Sequence, residues 1–225
     1  MTGEDKSGPV SSGGRVTDIV VVLRDRIARQ DVAPGSRLRE QELAAEFDVP
    51  RTRIRDVFAV LEGRGLIERV PNRGAVVARL DLSQVFHIYD VREVLEGLSV
   101  RLATENADPE SWQDLVDYFD EPMGRHVADG DFDSFLAGYA ECRSRVADAA
   151  ANPVLADMLD SIYEKTQALI RRIIILPGRA EVGLAEHRAV LEAMRDGNAS
   201  LAEQRRRANM ASAKEFLRRY ERFVL

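Results

Sequence analysis

Arg51, Thr52, Arg53 and Arg55 crowd the start of a short segment whose apolar residues, Ile54, Val57, Phe58 and Leu61, recur at helical spacing. The stripe turns one face of that helix toward a core and leaves the arginine-bearing end free. A guanidinium is a planar, permanently charged fork that can bond guanine O6 and N7 together or clamp a phosphate. The backbone N–H groups at the same helix end add a site for a phosphate oxygen. Such a charge cluster is usually a solvated helix face. Its surroundings single this one out.

Leu43, Ala44 and Phe47 mark a short helix before it, and Asp48-Val49-Pro50 makes a tight turn between the two. After the second helix Gly65 suits the left-handed position. Two β-rich runs, 66–70 and 75–77, then flank Pro71-Asn72-Arg73-Gly74 and read as a hairpin. With a first amphipathic helix carrying Val16, Ile19, Val20, Leu23 and Ile27, this makes a winged helix-turn-helix of three helices and a two-stranded wing. In such motifs the second helix of the pair enters the major groove by its N-terminal end. Arg73, beside Gly74 at the wing tip, is placed to reach an adjacent groove or the backbone.

The chain has 225 residues, 45% hydrophobic and 31% charged, as expected of a globular protein of one large or two ordinary domains. Its net charge of −6 speaks against indiscriminate nucleic-acid binding. The charge is unevenly spread: residues 1–80 hold 14 basic and 12 acidic side chains, leaving 18 and 26 for the remainder. Residues 1–14 are Gly/Ser-rich and lack a signal-peptide core, so the reading is a disordered tail on a cytoplasmic protein. No apolar run approaches the roughly 20 residues of a membrane span. The single cysteine, Cys142, excludes an internal disulfide and a cysteine zinc site.

From residue 81 onward strand signals disappear. Ser83 is placed to cap a long helix to about residue 103, and Asp108-Pro109 is a helix start. Further helices are expected over 132–150, 153–176, 179–195 and 199–223, broken at Gly130, Asn152-Pro153, Pro177-Gly178 and Gly197-Asn198. The fold class is mainly α: a head over 15–80 and an all-helical bundle of six or seven helices over 81–225.

The segments 34–44, 51–56, 61–67 and 71–74, beginning Pro34-Gly35-Ser36-Arg37-Leu38 and ending at Gly74, together resemble the GntR family of bacterial regulators. By that resemblance Arg51, Thr52, Arg53 and Arg55 are DNA-contacting positions. Gln41 matches another contact, and Arg73-Gly74 match the wing. Two departures stand out. Pro50 occupies a position usually held by Ser or Thr, so a helix cap worth about 1 kcal/mol is lost. Arg53 replaces a small residue or proline, adding charge at the groove.

The remainder resembles the FadR-type branch with its FCD effector-binding domain. The matching pieces are Asp90-Val91-Arg92 with Leu95-Glu96-Gly97, the Asn152-Pro153 break, Glu186-His187-Arg188 with Ala193-Met194, and Gly197-Asn198. The resemblance implies a pocket for small carboxylates, in many members organised by a divalent metal on an Asp, a His four residues later and two further histidines. Here those positions carry Tyr139, Arg143, His187 and Asn209, so no metal cofactor is expected: an arginine cannot shed its proton to ligate a cation. Arg143 would instead hold an anionic metabolite directly, with Arg92, Tyr139, His187 and Asn209 around it. The alternative is that Arg143 pairs with Glu96 and the pocket is closed.

The implied function is a sequence-specific transcriptional regulator, a repressor, acting as a homodimer on an inverted-repeat operator in double-stranded DNA and controlled by a small anionic metabolite. A ligand-independent architectural DNA binder is the competing reading. An enzyme is disfavoured: there is no Ser/His/Asp or Cys/His constellation, no phosphate loop and no zinc-protease motif.

Overall fold

The structure, a computed structural model, describes residues 15–224; the tail expected over 1–14 lies outside the described residues. The chain divides into two compact units, the first ending at Arg79 and the second starting at Leu80.

In the first unit α1 (Val16–Ala28) buries Ile19, Val20, Leu23 and Ile27, the stripe its periodicity dictates. The short α2 (Glu40–Glu46) and α3 (Arg51–Gly63) follow, α3 burying Ile54, Val57, Phe58 and Leu61. Asp48 takes a positive φ of 50° in the turn between them, and Gly65 one of 69° just past α3. These side chains merge with Leu66, Ile67, Ala75 and Val77 into one core.

The wing differs from the two-stranded expectation. β2 (Ile67–Val70) and β3 (Gly74–Val77) form the antiparallel hairpin, but β1 (Arg37–Leu38) adds to the free edge of β3, giving the order β1-β3-β2. Two residues cannot show an alternating pattern. Pairing of Leu38 with Ala75 and Arg37 with Val76 creates this strand, and local sequence does not.

Pro50 stands at the N-cap of α3 with φ −61°, and no side chain accepts from the first-turn N–H groups. The ring's fixed φ suits this position and restricts the unfolded chain, a stabilisation of about 0.4–1 kcal/mol that offsets most of a missing hydroxyl cap. Pro50→Ser is therefore expected to leave hydrogen-exchange protection of the α3 amides within about 0.5 kcal/mol of the parent. Pro50→Ala loses one contribution without gaining the other and should lower it by about 0.4–1 kcal/mol.

The second unit is helical throughout among the described residues. It comprises α4 (Leu82–Asn106), a 3-10 turn (Pro109–Trp112), α5 (Gln113–Tyr118), α6 (Glu121–Asp129), α7 (Phe132–Ala150), α8 (Pro153–Ile174), α9 (Arg179–Arg195), α10 (Ala199–Arg219) and α11 (Glu221–Val224). That is one more helix than the upper expectation. The short α5 and α6 carry too few turns to show a period, and Tyr220 splits α11 from α10. Asp81, and not Ser83, caps α4, accepting from the Gln84 N–H at 2.8 Å. Asn152 and Asn198 cap α8 and α10 through Leu155 N–H and Leu201 N–H, both at 3.1 Å. Trp112, Phe119, Met123, Phe135, Leu191 and Met194 centre the core. Against α10, α7 and α8 lies α4, whose buried face includes polar residues midway along it: Arg92, Glu96 and Ser99 are all buried on one face. Among the described residues no helix is long and apolar enough to cross a membrane.

Candidate functional site

At the start of α3 the side chains of Arg51, Thr52 and Arg55 are exposed and Arg53 is half-buried. Gln41 on α2, and Arg73 with Gly74 at the wing tip, are exposed as well. Glu40 lies beside the start of α3: one of its oxygens, Oε2, accepts from Arg51 Nη2 and from Arg55 Nε, each at 3.0 Å. Its partial burial pushes the carboxyl up, yet the hydrogen bonds from Arg51 and Arg55 prevail and hold it below the usual range. A single carboxylate thus fans two guanidiniums from one point. Arg53 and Arg73 have no carboxylate partner among the described residues. Sequence reasoning missed Glu40; its place at the first position of α2 gives no cue that it reaches residues 11 and 15 further on.

In the second unit Arg92 (α4), Tyr139 and Arg143 (α7), His187 (α9) and Asn209 (α10) all line one cavity of about 320 Å³. A chain of polar contacts crosses its wall. Glu96 accepts from Arg92 through Oε1 at 2.7–2.8 Å and from Arg206 through Oε2. Arg206 also donates to His187 Nε2, and to Asn209 Oδ1 at 3.0 Å. The Asn209 amide donates to Glu186 at 2.7 Å, and Arg179 reaches the same Glu186 oxygen at 3.1 Å.

Each shift has a visible cause. Burial pushes the Glu96 carboxyl up, but Arg206 and Arg92 beside it override this and bring it to about 2. Burial, then the Arg206 charge, holds His187 well below its ordinary value, so the ring is neutral. Its Nε2 accepts from Arg206, hence the proton sits on Nδ1 and is donated to the Gly183 carbonyl at 3.0 Å. Burial raises the Tyr139 phenol well above the usual tyrosine range and the Cys142 thiol to about 11.

Arg143 does not pair with Glu96, whose two oxygens are taken by Arg92 and Arg206. Its guanidinium lies over the Tyr163 ring, 3.9 Å from the centroid. Nor do these positions fit a divalent cation. They present a phenol, a guanidinium, an amide already bonded to Arg206 and Glu186, and an imidazole whose free lone pair is held by Arg206. Arg179 and Arg206 were not anticipated. Arg206 sits three residues before Asn209, on the same helix face, but inside Arg205-Arg206-Arg207 it reads as a solvated patch.

Comparison with known proteins agrees with this division. The family described as bacterial regulatory proteins, gntR family, matches residues 16–77, and the FCD domain matches residues 87–212. The HTH-type transcriptional regulator YdhC of Bacillus subtilis is 29% identical over 185 residues, covering 81% of each chain. A probable D-xylose utilization operon transcriptional repressor of Paenarthrobacter nicotinovorans is 27% identical over 192 residues, 84% of this chain and 81% of that one. The solved structure of McbR/YncC from E. coli shares the fold with a TM-score of 0.76 at 17% identity, over 92% of this chain and 99% of that chain. Relatives of this kind are transcriptional regulators, not enzymes. With one match over the head and the other over more than half the chain behind it, the chain belongs to the GntR family of bacterial transcriptional regulators and carries an FCD domain.

Proposed function

We propose that this regulator is a cytoplasmic repressor that binds an inverted-repeat operator as a homodimer and is controlled by an anionic metabolite in the FCD cavity. In this reading Arg51, Thr52, Arg53 and Arg55 read one half-site, with Gln41 and the Arg73-Gly74 wing beside them. Half-site reading by one small head calls for a two-fold partner. The name of the Paenarthrobacter nicotinovorans relative supports repression.

The observation that carries effector control is the convergence of Arg92, Tyr139, Arg143, His187 and Asn209, from four helices, on one cavity. Five of its wall residues, Arg92 and Glu96 among them, belong to α4, the helix that follows directly on the head's last residues. A ligand that binds one arrangement of α4 better than another shifts the operator equilibrium by that difference.

The test is to select duplexes from a random pool with the full chain and titrate the winner by fluorescence anisotropy at physiological salt. An inverted repeat bound about 10³-fold or more above unrelated DNA is expected. Steep salt dependence without sequence preference would instead establish the architectural reading.

A further inference from the structure

The cavity carries four guanidiniums, and three of them are answered within the protein. Glu96 takes Arg92 and Arg206, and Glu186 takes Arg179. Arg143 alone of the four has no carboxylate partner among the described residues; it rests on the Tyr163 ring. Four residues earlier on α7, and so on the same face, the Tyr139 hydroxyl is buried with no hydrogen-bond partner. An unanswered cation and an unanswered donor, one helical turn apart, are what a single carboxylate needs: a charge-assisted fork and one further hydrogen bond.

Beyond the hydroxyls of Tyr89, Ser99, Ser144 and Tyr163, the lining offers a polar ligand little that is not already engaged. Both nitrogens of His187 and both polar atoms of the Asn209 amide are already bonded. A polyhydroxylated ligand would have to break those bonds. The neighbouring lining is apolar, including Leu159, Ile173, Ile174, Val190 and Met194. The two other acids of the lining, Asp148 and Asp160, are exposed and belong to the rim, where a second carboxylate would meet like charge.

We infer that the cavity is built for an amphipathic monocarboxylate, held without a metal ion by Arg143 and Tyr139, its apolar body lying among the aliphatic residues of α8 and α9. The inference rests on the effector role proposed above and narrows it to one chemical class: sugar acids and polycarboxylates are excluded, and so are neutral apolar molecules.

The test uses the full-length protein in chelator-containing buffer and isothermal titration calorimetry with octanoate, phenylacetate, suberate, citrate, gluconate and octanol. Octanoate or phenylacetate should bind, and suberate, matched to octanoate in length but with a second carboxylate, at least tenfold more weakly than octanoate. Octanol should be weaker by a similar factor. Arg143→Gln should weaken octanoate at least tenfold and Tyr139→Phe several-fold. Asp148→Asn with Asp160→Asn should narrow the octanoate-to-suberate ratio. Failure of both octanoate and phenylacetate to bind overturns the inference, and so does octanoate binding indifferent to Arg143→Gln. Tighter binding of citrate or gluconate overturns the class while leaving effector control standing. Octanoate binding that leaves operator affinity unchanged overturns effector control while leaving the class standing.

Discussion

Glu96→Ala is expected to destabilise the second unit by about 3–5 kcal/mol, because it leaves uncompensated buried charge. Glu96 is 2% exposed and Arg92 4%. The two oxygens of this carboxylate hold Arg92 from α4 and Arg206 from α10, helices that pack extensively on one another. Without it, Arg92 keeps a side-chain hydrogen bond with Tyr89 and the rings of Tyr89 and Tyr163, about 5 Å away by centroid, ring contacts worth on the order of 1–2 kcal/mol when desolvated. Urea denaturation followed by fluorescence reads this unit selectively, since Trp112 is the chain's only tryptophan and lies in its core. A loss below about 1 kcal/mol would show that the guanidiniums find other partners or water.

The same network sets an acid limb in two steps. His187 is held neutral in the folded state, with its value well below 6.5, whereas the unfolded chain takes up a proton near 6.5. The unfolded state then binds more protons, so stability falls as pH drops through that value. Glu96, brought to about 2 when folded, contributes stability that is complete above the ordinary carboxylate range and is lost as pH falls from there toward 2. Asp114 and Asp131, also held low by hydrogen bonds, share the second step. Glu96→Ala should therefore shrink the second step and leave the first. A first step that persists in His187→Gln would break the assignment to that ring.

Local periodicity made most of this fold legible. The stripe of α3 is buried residue for residue, and that of α1 is buried except for the half-buried Val16 at its start, because a helix exposes its pattern within a few turns. The edge strand β1 was not legible, being two residues long and made by its partner β3. The candidate cavity was legible in part. Family correspondence supplied all five named residues, Arg92, Tyr139, Arg143, His187 and Asn209. The contacts that fix their chemistry were hidden, for a different reason. Arg206 meets Glu96 across 110 residues, and Arg179 meets Glu186 across seven. No spacing rule distinguishes a buried arginine of that kind from the solvated ones beside it.

Arg51→Ala and Arg55→Ala should each weaken operator binding by about 5- to 150-fold, the worth of one bidentate contact to guanine at 1–3 kcal/mol. Because both guanidiniums fan out from Glu40, the losses should not simply add: removing one frees the carboxylate to hold the other more tightly. Stability should hardly move. These are largely exposed ion pairs, more than half of each arginine side chain facing solvent, and such pairs contribute about 0–1 kcal/mol. Arg73→Ala offers the contrast. If the wing meets the phosphate backbone, its loss weakens all sequences alike and lowers the salt slope by about one. Competition titrations with single-base operator variants separate the two behaviours: Arg51→Ala must flatten the preference at particular positions. Uniform weakening with a reduced salt slope would make Arg51 a phosphate clamp, and unchanged affinity would remove the start of α3 from the interface altogether.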